Sequence, residues 1–557
     1  MDTIQERHNQ VDHNYRVEIR HTAIIVRNYI RGENPRLEQY FQVYDKGKHC
    51  YQDVALYIDH KTNTMYLPAG IQYWVIQKNF GNNVFKKVHP DNFDKVKQIK
   101  LGTKPRDKTQ EEAIDFCIGG DRYPNNKRSN QIFLNLNTGK GKTYVMVAVS
   151  AYFSVKTAII MCSLDWISQW KDKILEYTNV KPEDIYIVSG LPSIIKLLKG
   201  FADHNSIKYY LISHDTIRSY GDKYGWERVR ELFQFLRIGI KVYDEAHLYP
   251  ANIFKIDYFT DVWKTYYLTA TPMLSDPFRN IVFQRSFSTV PKINLFNEET
   301  DAHTDYQAVL YNSHPSAIDL HNCQTAYGFN IIWYCNYLVF KPTYYNVLWI
   351  VLDWVLETVS KEGKILIYIG TNQAIQLTSY WIKYMYPYHS LGIFTSLTPK
   401  NEKKEQLDRK IILSTNKSAG AAMDIQNLEI TIDIDDPVKS PVLVRQKLGR
   451  TRDWHTTFFD VVDVGFPQLR YYYESKQSIY KKYANRILNP VVLTESEIRM
   501  RLMKIREKES MVLQMAQQRD NLIPVIEERK QVIEFVDEKE SHTAYKNQIQ
   551  DQQDQKK

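Results

Sequence analysis

At 557 residues the chain exceeds what one hydrophobic core supports, and with 43% hydrophobic residues it can fill several. Its 73 Lys and Arg outnumber 64 Asp and Glu, a formal charge of +9 that leans toward a polyanionic partner. No run reaches the roughly 18 to 20 apolar residues of a membrane span, and Cys50, Cys117, Cys162, Cys323 and Cys335 form no CxxC pair, so the composition argues against membrane, zinc and disulfide classes and for a soluble protein of a reducing, cytoplasmic compartment.

Residues 1–100 begin with a polar stretch that lacks a signal core. They continue through short strand-like runs, "YRVEIRHTAIIV", "DVALYIDH" and "TMYLPAGI", and a helical "QYWVIQKNFG". This reads as a small α/β or α+β accessory domain. Its "KNFGNNVFKKVHP" mixes lysine with aromatics, which suits either a DNA-contacting segment or a solvated loop. Over 101–300, buried strands alternate with amphipathic segments: "QIFLNL", "TAIIMCS", "DIYIVSG", "YYLISH" and "IGIKVYDE". Such alternation is the mark of a parallel sheet with crossover helices. Over 301–489 the pattern restarts, after about 340, with "KILIYIG", "SLGIFTS", "RKIILST", "ITIDID" and "TTFFDVVDV". Residues 490–557 read as a helical extension, opened by a capping box from Thr494 to Glu497, and a low-complexity polar tail. The expected fold is α/β, two tandem parallel-sheet domains with a small N-terminal domain.

Between the strand "QIFLNL" and the helix "YVMVAVSAYF" lies "NTGKGKT", built from Thr138, Gly139, Lys140, Gly141, Lys142 and Thr143. A glycine-rich loop there aims backbone N–H groups and a helix dipole at phosphate. Lys142 would reach the β- and γ-phosphates of ATP, and Thr143 would hold Mg²⁺. The usual pattern has its first glycine where this chain has Leu136. A hundred residues on, "IKVYDEAH" ends a buried strand in acids: Asp244 to hold Mg²⁺ through water, Glu245 to polarise the attacking water.

"DEAH" behind a phosphate loop resembles the superfamily 2 helicases and translocases, whose other motifs follow in order. The resemblance runs over roughly 105–487 and implies two RecA-like domains closing on ATP. Gln110 of "RDKTQEEAI" stands where members contact adenine; "SLDWISQW", with Ser163, is similar to motif Ia, and "LISHDTI", with His214 and Thr216, to the motif after it. "LTATPM" resembles motif III, where Thr269 and Thr271, with His247, would couple nucleotide to polymer. In the second unit "KILIYIG" resembles motif IV, "STNKSAGAAMDIQNLEI", with Asp424, motif V, and "RQKLGRTRD" motif VI. The resemblance gives Gln446 a nucleotide contact and leaves Arg450 and Arg452 as alternatives for the arginine finger, because Asp453 occupies the usual second arginine position. Ala422 stands where motif V more often has glycine. Thr371, Thr395 and Thr415 join Ser163, His214 and Thr216 as candidates for the polymer groove.

Within the superfamily the texture resembles phage recombination helicases of the UvsW kind and poxvirus-type transcript-release helicases. The resemblance implies an ATP-dependent helicase acting on single-stranded, forked or branched DNA in viral replication or recombination; the sequence does not fix its oligomeric state, and a monomer is the favoured expectation. An RNA helicase or transcript-release factor is the alternative with the same motor, and a nucleic-acid-binding scaffold with a decayed motor the alternative from another class. The C-terminal helix would dock a protein partner or touch DNA.

Overall fold

The computed structural model describes residues 15–500 apart from 46–48, 82–84, 88–92, 137–139, 163–164, 201–202, 271–273, 275, 296–302, 326–327, 400, 420–424, 436–443, 445–446 and 449–455. Seven short strands open the chain: β1 (Arg16–Ile19), β2 (Ala23–Arg27), β3 (Gln42–Asp45), β4 (Cys50–Asp53), β5 (Tyr57–Asp59), β6 (Thr64–Pro68) and β7 (Phe85–Lys87). Five of them form a sheet in the order β5-β6-β2-β1-β7, antiparallel except where β7 joins β1. Among the described residues the strands β3 and β4 pair only with each other, as a hairpin. The expected helix forms at Tyr73–Phe80.

Two all-parallel sheets follow. The first takes β8 (Gln131–Asn135), β9 (Thr157–Met161), β10 (Ile185–Val188), β11 (Tyr209–Ser213), β12 (Ile240–Tyr243), β13 (Lys264–Thr269) and β14 (Lys292–Asn294) in the order β10-β11-β9-β12-β13-β8-β14. Its central strands are buried end to end, as helices on both faces require. The second sheet begins at β15 (Thr304–Tyr311). After a small hairpin, β16 (Gln324–Thr325) and β17 (Gly328–Phe329), it adds β18 (Lys364–Ile369), β19 (Leu391–Phe394), β20 (Ile411–Ser414), β21 (Leu428–Asp435), β22 (Thr456–Asp463) and β23 (Val491–Val492). Their order is β19-β20-β18-β21-β22-β15-β23. The α/β expectation of two tandem parallel sheets is borne out.

The helix Pro250–Phe259 of the first unit packs on β2 and β6, so the N-terminal sheet and the first parallel sheet share one hydrophobic core. A buried polar network runs through it. Lys241, fully enclosed in β12, donates to Thr260 O at 2.8 Å and pairs with Asp257 at 2.5 Å. Asp257 accepts from Tyr243 Oη (2.8 Å) and Tyr267 Oη (2.7 Å), while Thr22 Oγ1 donates to its backbone oxygen. The turn between β1 and β2 is thereby tied to the sheet; Gln131 Nε2 also donates to His21 O. In the second unit, Asp460 gathers Lys476 (3.0 Å) and the hydroxyls of Tyr306 and Tyr480, whose rings stack 3.7 Å apart. The capping box forms, with Glu497 N donating to Thr494 Oγ1 and Thr494 N to Glu497 Oε2. No described helix is long and apolar enough to cross a membrane.

Candidate functional site

The strand order explains how two segments a hundred residues apart meet. β8 and β12 both flank β13, so the chain leaving each of them lies on the same edge: Leu136 N donates to Thr269 O (3.1 Å) and Ala246 N to Leu268 O (2.8 Å). Carboxyl ends of parallel strands are where α/β folds take ligands. The chain returns at Lys140 and Gly141 and enters the helix Lys142–Phe153, whose residues Tyr144–Ala151 are all buried. Gly141 caps it at φ +86°, a left-handed conformation open to glycine. A Cβ there would lie 2.1 Å from Gln110 Nε2. Gln110 is buried; its Nε2 donates to Lys140 O (3.2 Å) and its Oε1 accepts from Arg106 N (2.8 Å). This glutamine therefore braces the exit of the loop.

Opposite it stand the acids. Asp244 N donates to Ile160 O of the neighbouring strand, which fixes the backbone as β12 ends. Glu245 then turns at φ +49°, an uncommon conformation for a side-chain-bearing residue and a frequent one where a functional group must be aimed. Its Oε1 lies 3.3 Å from Lys142 Nζ, which also donates to Leu136 O. Glu245 Oε2 is buried with no hydrogen-bond partner among the described residues and lies 3.4 Å from His247 Nδ1. That imidazole nitrogen is 2.7 Å from Thr269 Oγ1 on β13. Asp244 accepts from Trp170 Nε1 (2.8 Å) and from Glu245 N (3.1 Å).

Burial, then repulsion from Glu245, pushes the Asp244 carboxyl up to about 6, against the pull of Lys142. Burial would also raise Glu245, but Lys142 and His247 together hold it below the ordinary range. One enclosed acid thus has a raised proton affinity and its neighbour a lowered one. A cation beside Asp244 would reverse the first bias. The oxygen donors here, the Asp244 carboxylate and the Thr143 hydroxyl in the helix's first turn, suit a hard cation such as Mg²⁺.

Of the remaining expected residues, His214, Thr216, Thr371, Thr395 and Thr415 follow the carboxyl ends of strands in the two sheets. His214 and Thr216 open the helix after β11; both are buried, with His214 against the Tyr249 ring at 4.8 Å and Thr216 Oγ1 accepting from Gly190 N. The order β19-β20-β18 sets Thr395, Thr415 and Thr371 side by side. Each hydroxyl accepts from a backbone N–H in the next turn: Leu397, Ser418 and Ala374 respectively. Thr138, Gly139, Ser163, Thr271, Asp424, Gln446, Arg450 and Arg452 lie outside the described residues. Two partners escaped the sequence reading. Trp170 stands inside "SLDWISQW", but only the fold brings its indole to Asp244. Lys447 of "RQKLGRTRD" is buried against Asp433 of β21 at 2.7 Å, anchoring its segment to the second sheet.

Residues 86–274 match the family model described as type III restriction enzyme, res subunit. Among curated proteins, the chain is 28% identical over 176 residues to the general transcription and DNA repair factor IIH helicase/translocase subunit XPB of Enterocytozoon bieneusi, covering 30% of this chain and 27% of that one. It is 26% identical over 211 residues to the DNA 3'-5' helicase XPB of Kineococcus radiotolerans, covering 35% and 36%. The chain thus spans about a third or less of the length of the curated relatives it matches. Similar solved structures include S. cerevisiae Dbp5 bound to RNA and ADP BeF3 (12% identity, 72% of this chain and 93% of that one, TM-score 0.46). T4 UvsW is another (13%, 86% and 99%, TM-score 0.33). The family match and the curated relatives bear out the resemblance to superfamily 2 helicases.

Proposed function

We propose, on the premise that this chain carries a superfamily 2 helicase segment, that it is an ATP-driven motor working on DNA. The observation that carries this is the Lys142–Glu245–Asp244 cluster at the edge of the first parallel sheet, its two acids buried and Lys142 standing at a helix N-terminus. A lysine in contact with an ionised, left-handed glutamate, beside a second acid of raised proton affinity, is what phosphoryl transfer to water needs before substrate arrives.

In this reading the loop Thr138–Gly141 cradles the phosphates, and Lys142 leaves Glu245 for the β- and γ-phosphate oxygens. Thr143 and Asp244 would hold Mg²⁺, which supplies charge neutralisation when bound. Glu245, freed from Lys142, orients the attacking water and takes its proton. Gln110 lies beside the loop and meets the adenine edge. His247 and Thr269 report the state of Glu245 to the segment containing Thr271. The second unit brings Gln446 and Asp424 to the nucleotide and Arg450 or Arg452 to the transferring phosphoryl group.

The polymer would cross the strand edges at Ser163, His214, Thr216, Thr371, Thr395 and Thr415, held by phosphate contacts that carry no sequence information. DNA is favoured over RNA because the curated relatives are named as DNA helicases or as a DNA repair helicase. Single-stranded, forked or branched DNA in replication or recombination is the substrate class. ATP turnover measured with single-stranded DNA, forked DNA and RNA of matched length tests the choice. DNA should stimulate most; stimulation by RNA alone would transfer the motor to an RNA substrate.

A further inference from the structure

The hairpin β3–β4 stands apart from every sheet. Its two faces differ because strand side chains alternate. On one face, Val43 packs against the shared core and Gln52 Oε1 accepts from Arg279 Nη2 at 3.0 Å. On the other, Tyr44 and Tyr51 sit in register across the hairpin, ring centroids 5.3 Å apart and nearly perpendicular. They are 47% and 48% exposed, so each ring keeps an open surface.

The hairpin is held by a helix close behind β13. Arg279 belongs to the helix Pro277–Ser286, which follows the "LTATPM" segment within a few residues. That helix is gripped a second time: Arg285 lies over the Tyr40 ring at 4.4 Å. Its C-terminal end meets Gly70 of the "LPAGI" turn, where a Cβ would come within 2.6 Å of Ser286 O. These contacts tie the helix to the hairpin, to Tyr40 and to the "LPAGI" turn.

Charge selects the occupant. Over residues 15–100 there are fourteen Lys and Arg against eight Asp and Glu, a surplus of six within a chain whose total is +9. An open aromatic pair in a segment with a basic surplus suits a polyanion with flat, unpaired rings better than an apolar protein surface.

We infer that the Tyr44–Tyr51 face is a base-stacking site for unpaired nucleotides, carried by the helix behind the third motor motif. The inference rests on the polymer-motor reading and adds to it a contact outside the two parallel sheets. Stacking is indifferent to sequence and to sugar, so single-stranded DNA and RNA share the chemistry.

The test is binding of a dye-labelled single-stranded oligonucleotide, as DNA and as RNA, read by fluorescence anisotropy on the full chain. Wild type is compared with Tyr44→Ala/Tyr51→Ala and Tyr44→Phe/Tyr51→Phe, all verified as folded by circular dichroism. The alanine pair should weaken binding roughly ten-fold or more, and the phenylalanine pair should bind as wild type does. The arm with the tighter wild-type binding identifies the natural polymer. Undiminished binding by the alanine pair overturns this inference and leaves the motor reading intact. Equal losses in both pairs also overturn it, since hydroxyls rather than rings would then make the contact. Wild type that binds neither oligonucleotide overturns the motor reading and this inference with it.

Discussion

Asp244 is held in a condition the fold alone would not choose. Its carboxyl is pushed up to about 6 by burial and by Glu245, so the folded protein binds that proton more tightly than the unfolded chain does. Stability therefore falls as pH rises from about 4 to about 6, and the loss persists at neutral pH. The shift of about two pH units corresponds to a cost on the order of 1–3 kcal/mol. Asp244→Asn keeps an oxygen for Trp170 and removes the charge. We expect this variant to be more stable than wild type at pH 7.5 by denaturant unfolding, with the difference vanishing below about pH 4, and to lose ATP turnover. A destabilised variant at pH 7.5 would contradict the assignment of burial as the dominant cause. The sequence made the meeting of Asp244, Glu245 and Lys142 legible through motif and strand ending. It could not show Trp170 as their partner, because a tryptophan on an amphipathic helix reads as core until the neighbouring strand is known.

Elements were legible where a strand is uniformly apolar. "IGIKVYDE", "YYLISH", "KILIYIG" and "RKIILST" read as buried parallel strands and are such. β15 was not, since "TDYQAVLY" interrupts its apolar run with Asp305 and Gln307; Asp305 is satisfied by Asn485 and Arg486 from far along the chain. β14 is three residues long and gives no pattern at all. Lys241 shows the same limit from the other side: a lysine in the middle of β12 is tolerated because Asp257 and Thr260 receive it. Removing Asp257 leaves that ammonium enclosed and unpaired, and strips acceptors from Tyr243 and Tyr267. Asp257→Ala should cost about 3–5 kcal/mol by denaturant unfolding. The double variant Lys241→Met/Asp257→Leu should recover part of the loss, with the tyrosine hydroxyls accounting for the remainder. An unaltered midpoint in Asp257→Ala would show that water reaches the network.

At the scale of the molecule, periodicity indicates that a strand has a buried face but not whose helix covers it. The N-terminal strands "TAIIV" and "TMYLP" read as a small domain's own core, yet the helix Pro250–Phe259 of the first parallel-sheet unit fills the space beside them. The "LPAGI" turn and the hairpin thus pack on the unit that carries Lys142 and Glu245, and within the second unit Lys447 is anchored to β21. The cluster of Lys142, Asp244 and Glu245 is the hydrolytic site of the proposed motor. The measurement that tests it most directly is phosphate release by Glu245→Gln beside wild type, with forked DNA present and ATP binding measured on the same samples. Glutamine preserves shape but cannot take a proton from water, so binding should persist while release falls about a hundred-fold or more. Undiminished release in the variant, or none in wild type that binds ATP and DNA, would contradict the account.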